Sequence, residues 1–403
     1  MGDDVGVRSE VGRLRAVLVH RPGLELRRLT PSNKEELLFD ELIWVDRAQV
    51  EHDAFAATME TAGAEVLHLA DLLEELLADD EVAREVVRTQ VTETTCGAEL
   101  AVRVRAFLLD QPRDQLTAHL IGGLSIAEVG GGDGLVARVN RPYELLLTAL
   151  PNAVFMRDSS AWIGEGVLVA PMNRMVRRRE SDLLRLVYTL HPRFGQPTIY
   201  LGAEPTEPSP GTIEGGDILV VGDRGVAIGI SERTTTPAIE ALASRLFAAD
   251  VIDRIIAVDL PKSRSTMHLD TVVTMVDRDA FLLYPQIRPE VRCFRITPRA
   301  GGRLLVEDEE SLVAGLAWAA GLDAVRTIEP AFDNVMAERE QWNDANNVLA
   351  VAPGEVVAYE RNEDTNRILE DAGITVRLIP SYELPRGRGG PRCMTCPVLR
   401  DPL

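Results

Sequence analysis

The chain has 403 residues, 45% of them hydrophobic and 26% charged, a balance that suits a globular protein with a large core and excludes a disordered one. Its formal charge of −20 argues against nucleic acid or an anionic membrane as partner, since both need a cationic surface, and favours a small cationic ligand. No apolar run approaches the roughly 20 residues that span a bilayer, and the acidic start MGDDVGVRSE lacks the apolar centre of a secretory signal, so a cytoplasmic protein is expected.

In chain order the elements repeat in pattern, though not in residue identity. LRAVLVHRP (14–22) reads as a strand, residues 47–62 as a helix and AEVLHLA (64–70) as a second strand. Residues 71–148 break the pattern: DLLEELLADDEVAREVVRTQV and GAELAVRVRAFLLDQ carry apolar residues at helical spacing, and EVGGGDGLVARVN leads back. VFMRDSSAWIGEGVLVAPM (154–172) then makes two β-rich runs around a turn, followed by a helix (177–194) and the strand TIYLG (198–202). The same order returns as EGGDILVVGDRGVAIGIS (214–231), a helix (236–249) and RIIAVDLP (254–261). A third copy is MHLDTVVTMVDRDAFLLYP (267–285), EESLVAGLAWAAGL (309–322) and VRTIEP (325–330). A fourth is NNVLAVAPGEVVAYER (346–361), EDTNRILEDAG (363–373) and TVRLIPS (375–381). CMTCPVL (393–399) supplies the strand that the N-terminal unit lacks, which closes a ring. The expectation is a single α/β domain, a five-bladed pseudo-symmetric α/β propeller of hairpin, helix and strand units, with residues 71–148 as a helical insertion after the first blade.

At or near the start of each hairpin sits a polar residue: Asp158, Glu214, His268, Asn347 and Cys393. In a radial repeat, equivalent positions converge on the axis, so these five make a candidate catalytic constellation. Singly, each has an ordinary alternative. Asp158 suits a turn, EGGD suits glycines at positive φ, and His268 suits a satisfied strand residue. Asp270 would share a strand face with His268. The four cysteines, Cys96, Cys293, Cys393 and Cys396, read as reduced thiols in a long chain without a signal. GRGGPRCMTCP (387–397) raises three possibilities for Cys393 and Cys396: metal clip, redox pair or nucleophile. Zinc lacks a second CxxC or HxxxH nearby, and a redox CxxC would open a helix early in a domain, so a single nucleophilic cysteine gains.

The blocks MRDSSAWIGEGV, EGGDILVVG, SERTTTPAI, MHLDTVVTMVD, EREQWNDANNVLAVAPGEVVAYERN and GRGGPRCMTCP, with LTPSNKEELLFDELIWVD near the start, span nearly the whole chain. In that order they resemble the arginine deiminases of the guanidino-group modifying superfamily. The resemblance implies the same propeller with a helical insertion, and hydrolysis of L-arginine to L-citrulline and ammonia without metal or organic cofactor. It implies Cys393 as nucleophile, His268 as general acid and base, Glu214 as its partner, and Asp158 and Asp270 as holders of the guanidinium. Arg177 and Arg233 would take the α-carboxylate, with Arg388 and Gly387 beside the cysteine loop. Asn152, Phe155, Asp217 and Asn347 would complete the pocket. The chain departs from the family in FMRD, where FTRD is usual, and in Arg392, where a histidine often precedes the cysteine.

These residue types suit the reaction. A guanidinium is a poor electrophile unless two carboxylates clamp it, and a thiolate is nucleophilic at modest basicity. The bound cation would itself favour the thiolate, while His268 gives a proton to the departing ammonia. The glycines before Cys393 would permit unusual backbone conformations and close approach to a ligand, and Cys396 would face the core. Agmatine deiminase, dimethylarginine hydrolase and amidinotransferase share the resemblance. Agmatine gives no reason for the arginines of MVRRRE and SERTT, and the dimethylarginine hydrolases usually lack the insertion. A non-catalytic guanidino-binding propeller and a thiol redox module remain from other classes. The insertion's apolar faces leave room for a homo-oligomer.

Overall fold

The computed structural model describes residues 5–202, 211–330 and 334–403, so the first four residues of the acidic start lie outside it. Strand β1 (Leu14–Val19) runs parallel to β2 (Glu65–His68), Ala16 opposite Glu65 and Val19 opposite His68. Parallel neighbours need a crossover, and the helix Val45–Thr61 provides it, burying Ala48, Phe55 and Met59. Helices Leu69–Leu77, Asp80–Gln90, Ala98–Leu109 and Arg113–Gly122 follow, with the short pair β3 (Leu124–Ser125) and β4 (Leu145–Leu147). Their apolar faces make a cluster of their own around Leu77, Val86, Val104, Leu108, Leu116 and Leu120.

Four further units obey one rule: two antiparallel strands, a helix, and a third strand parallel to the second. The first has β5 (Ser160–Ile163), β6 (Gly166–Val169), the helix Arg178–Leu190 and β7 (Ile199–Leu201). The next has β8 (Ile218–Gly222), β9 (Gly225–Ile230), the helix Thr236–Ala248 and β10 (Arg254–Asp259). In the third, β11 (Val273–Asp277) and β12 (Ala280–Leu283) precede an extra hairpin, β13 (Arg292–Arg299) and β14 (Arg303–Glu309). The helix Leu312–Ala320 and β15 (Arg326–Ile328) complete that unit. The extra hairpin does not join its own unit; β13 pairs with β10 and widens the preceding sheet to five strands. The last of the four has β16 (Leu349–Ala352), β17 (Glu355–Tyr359), the helix Glu363–Asp371 and β18 (Thr375–Ile379). β19 (Cys396–Arg400) then pairs antiparallel with β1, Leu14 opposite Arg400, which gives the N-terminal sheet the same order.

The result is a mixed α/β fold in which strands of successive sheets lie side by side: β8 by β11, β11 by β16, β16 by β1, and β19 by β5. Apolar side chains fill the gaps between sheets, such as Leu219, Leu269, Val273 and Phe281 and Val17, Leu349, Val357 and Met394. Among the described residues no helix is long and apolar enough to cross a membrane.

Candidate active site

The polar residues expected at or near the hairpin starts sit on tight turns just before the first strands. Asp158 lies on the one-turn helix Met156–Ser159, Glu214 caps the turn Gly215–Asp217, and His268 caps the turn Leu269–Thr271 that carries Asp270. Asp270 is thus on a helical turn, so the alternation by which it would share a strand face with His268 does not apply. Asn347 and Cys393 precede β16 and β19 in the same way. A turn leaves the side chain free of the sheet's cross-strand packing, and all five sheets present theirs at the same end of the first strand.

Asp158 is not the self-bonded turn residue that its sequence context allows. Its Oδ2 accepts from Arg177 Nη1 at 2.6 Å, and Arg177 spends Nε and Nη2 on Glu180 and also reaches the Asn152 carbonyl. All four side chains are buried. The other carboxylate oxygen, Oδ1, has no hydrogen-bond partner. An unmet buried acceptor costs about 1–3 kcal/mol.

His268 Nε2 lies 2.9 Å from Glu214 Oε2, and Nδ1 lies 3.5 Å from Asp158 Oδ1. Burial opposes the imidazolium, but the charge of Asp158, the hydrogen bond to Glu214 and the charge of Asp217 outweigh it and raise His268 to about 9. Glu214 is depressed to about 2: burial raises it, yet His268, Arg177 and Arg233 prevail. Gly216 makes this packing possible, since a Cβ there would sit 2.6 Å from His268 Nδ1 and 3.0 Å from Asp158 Oδ1.

Cys393 is 5% exposed, its amide donates to Asn347 Oδ1 at 2.8 Å, and its Sγ is 3.7 Å from Asp270 Oδ2. Burial and the negative charges of Asp270, Asp158 and Asp344 push its thiol well above the ordinary range. Asp270 repeats the pattern of Asp158: Oδ2 accepts from Arg392 Nη1 at 2.7 Å, while Oδ1 is buried without a hydrogen-bond partner. The glycines ahead of Cys393 answer to space and not to φ. Gly387, Gly389 and Gly390 all avoid the left-handed region, which Arg388 occupies at φ 66. A Cβ on Gly389 would run into the Phe155 ring, and one on Gly390 would sit 2.5 Å from the Asn347 carbonyl oxygen.

One cavity joins these groups. Nine of the thirteen predicted site residues line it: Asn152, Phe155, Asp158, Arg177, Arg233, His268, Gly387, Arg388 and Cys393. The other four, Glu214, Asp217, Asp270 and Asn347, are buried and make contacts that brace the site. Asp217 takes hydrogen bonds from Leu269 N and Ser231 Oγ, and Asn347 Nδ2 donates to the Asp270 carbonyl. The cavity's water-accessible space is about 20 Å³, room for about one water. Arg388, which lines it, has its guanidinium 3.5 Å from the centre of the Trp342 ring and Nε and Nη1 without hydrogen bonds.

Sequence reasoning missed several participants. Glu180 had a signal, an opposite charge three residues from Arg177 on a helix. Leu38, Arg264, Met267 and Thr271 also line the cavity and had none. Asp158, Glu214 and His268 also place three potential metal-ligand atoms within 4.8 Å of one another. Arg177 and Arg233, 2.6 and 3.6 Å from two of these carboxylates, would set two fixed positive charges against an ion there. The four cysteines are all free; Cys396 lies in the core with Sγ 3.5 Å from the Ser160 carbonyl oxygen.

With the geometry in place, comparisons add the following. The arginine deiminase family profile matches residues 35–400. Among solved structures, an amidinotransferase of saxitoxin biosynthesis from Microseira wollei is similar at 15% identity and TM-score 0.56, over 99% of this chain and 98% of that one. The N-terminal domain of the cyanobacterial arginine dihydrolase ArgZ, bound to product, is similar at 14% identity and TM-score 0.54, over 96% and 97%. The dimethylarginine hydrolase of Pseudomonas aeruginosa, in complex with citrulline, is similar at 14% identity and TM-score 0.52, over 95% and 99%. At these identities the likenesses bear on the fold.

Proposed function

The chain belongs to the arginine deiminase family, and on that footing we propose that it hydrolyses L-arginine to L-citrulline and ammonia through a covalent amidino-cysteine intermediate. The observation that carries the proposal is the pair of unmet acceptors, Asp158 Oδ1 and Asp270 Oδ1, in the cluster that holds Cys393 and His268. A guanidinium offers N–H donors to both, and its positive charge relieves two buried carboxylates at once. Arg233 and Arg177 take the α-carboxylate, with Arg388 swinging from Trp342 as a further donor. Arg177 does this while still holding Asp158 and Glu180.

The chemistry follows from the charges. The free site opposes a thiolate at Cys393, because that would be one more anion beside Asp270 and Asp158. Arginine brings the cation that reverses the balance, so the thiol releases its proton to solvent as the substrate binds and the nucleophile forms when the substrate is present. The thiolate adds to the guanidinium carbon and makes a C–S bond. His268, protonated and held by Glu214, gives its Nδ1 proton to the departing nitrogen, which leaves as ammonia. Water then attacks the amidino carbon, the now neutral His268 accepts its proton, and the C–S bond breaks to release citrulline and the thiolate. Every step uses side chains alone, with no metal or organic cofactor.

The five similar sheets and the side-by-side packing of their strands support a five-bladed propeller as one catalytic domain, with residues 71–148 inserted after the first blade. Exposed Val102, Leu135, Val139 and Tyr143 in that stretch support its use as a subunit contact in a homo-oligomer. Free cysteines suit a reducing, cytoplasmic setting. The test is ammonia and citrulline release by the purified protein supplied with arginine, agmatine or dimethylarginine, with and without a second amine. Cys393→Ser should abolish turnover and Cys396→Ala should keep most of it. Transfer of the amidino group to the added amine, or preference for agmatine, would overturn the assignment.

A further inference from the structure

Resting on that reading, we infer that Arg392, braced by Glu10, is a positioning residue that keeps one oxygen of Asp270 free for the guanidinium. Arg392 is 1% exposed and every nitrogen of its guanidinium is engaged. Nε and Nη2 form a fork onto Glu10 at 3.0 and 3.1 Å, Nη2 also donates to the Ile218 carbonyl at 2.7 Å, and only Nη1 reaches Asp270. Glu10 is itself fixed, because its Oε1 accepts from Val220 N and its amide donates to the Val220 carbonyl. Both carboxylates therefore compete for one planar fork, and Glu10 has the two-pronged contact. Asp270 Oδ2 receives one hydrogen bond from Arg392 and the weaker contact from Cys393 Sγ, which sets the carboxylate plane and leaves Oδ1 unmet.

This arrangement matters because an arginine placed directly before the nucleophile could as easily close the clamp. A guanidinium free to turn would grip both oxygens of Asp270 and imitate the substrate. Glu10 prevents that by claiming the fork, so Arg392 orients Asp270 without replacing its ligand. The same contacts tie three distant segments together: the stretch around Glu10 ahead of β1, the turn before β11 and the turn before β19.

Glu10→Gln and Arg392→Lys test the idea. The first keeps size and acceptor but removes the charge; the second keeps charge but removes the fork. Arg400→Lys is the control, since Arg400 is equally buried and bonds the carbonyls of Gly12 and Ala350 without touching Asp270. Expected is a rise of roughly ten- to a hundredfold in KM for arginine in both test variants, the size of one charge-assisted contact. The change in kcat should be smaller, and arginine binding to the Cys393→Ser background should weaken in parallel by calorimetry. Arg400→Lys should lower the melting temperature and leave KM within about twofold. If the test variants lose stability as the control does with KM unmoved, Arg392 is structural and the inference fails while the proposed reaction stands. If the Cys393→Ser protein binds no arginine at all, both fail together.

Discussion

His268 and Cys393 carry opposite electrostatic burdens in one buried pocket. The imidazole is held to about 9 by Asp158, Glu214 and Asp217 against burial, so the acid that ammonia needs is present throughout the neutral range. Because the shift is upward, the protonated form dominates below about 9 and is lost as pH rises through it. The kcat at saturating arginine should therefore decline above about pH 9, and a fall already complete near pH 7 would contradict the assignment. The arginines differ in what they hold. Arg233 touches Glu214 and Glu232, whereas Arg177 anchors Asp158 as well as lining the cavity. Arg233→Ala should lower kcat/KM for arginine about ten- to a hundredfold and narrow the preference over agmatine, which has no carboxylate. Arg177→Ala should cost more and harm both substrates, because it also releases Asp158. An unchanged arginine-to-agmatine ratio in Arg233→Ala would remove it from the carboxylate site.

The segment from Leu384 to β19 is shaped by what stands beside it. Gly389 lies against the Phe155 ring and Gly390 against the Asn347 backbone, and the Asn347 side chain holds the Cys393 amide. Added volume at Gly389 must move either the ring or the turn that carries the thiol. Gly389→Ala should reduce kcat by about tenfold or more, since small misplacement of a nucleophile is costly, with a stability loss of roughly 1–3 kcal/mol from overpacking. Gly373, at φ +85 with nothing within 4 Å of an added Cβ, gives the contrasting case: Gly373→Ala should lose stability from the backbone alone and leave activity unchanged. Steady-state kinetics and thermal unfolding of the two variants measure this. Equal activity in both would show that the cysteine turn tolerates displacement.

Across the whole molecule, the two ends of the chain make one sheet. β19 pairs with β1, Gly6 donates to the Val398 carbonyl, and Cys396 and Val398 are fully buried among residues of the neighbouring sheet. Burial of one Val or Leu side chain is worth about 1.5–3 kcal/mol, and several such contacts approach the 5–15 kcal/mol by which a domain is stable. Deletion of residues 396–403 should therefore leave no cooperative thermal transition, although it removes no group assigned to the chemistry. A truncated protein that still melts cooperatively at a similar temperature would mean that the remaining sheets stand without this closure.

The order of the elements could be read from the sequence because it rests on local signals: apolar period, turn residues, and the return of hairpin, helix and strand. The polar residue that precedes each first strand was visible for the same reason, and so were the nine residues that line the cavity once the motifs were aligned with a known family. What the chain does not reveal locally is which group meets which across space. The hairpin β13–β14 falls between the strands and the helix of the third unit in chain order, yet β10 of the preceding sheet offers it an open edge. GRGGPRC reads as a backbone free to take unusual conformations and to approach a ligand, yet its glycines make room for Phe155 and Asn347. Arg177 and Arg392 each satisfy one oxygen of a clamp carboxylate and leave the other unmet. That division depends on partners 19 and 122 residues away in the chain, and only folding brings them to hydrogen-bonding distance.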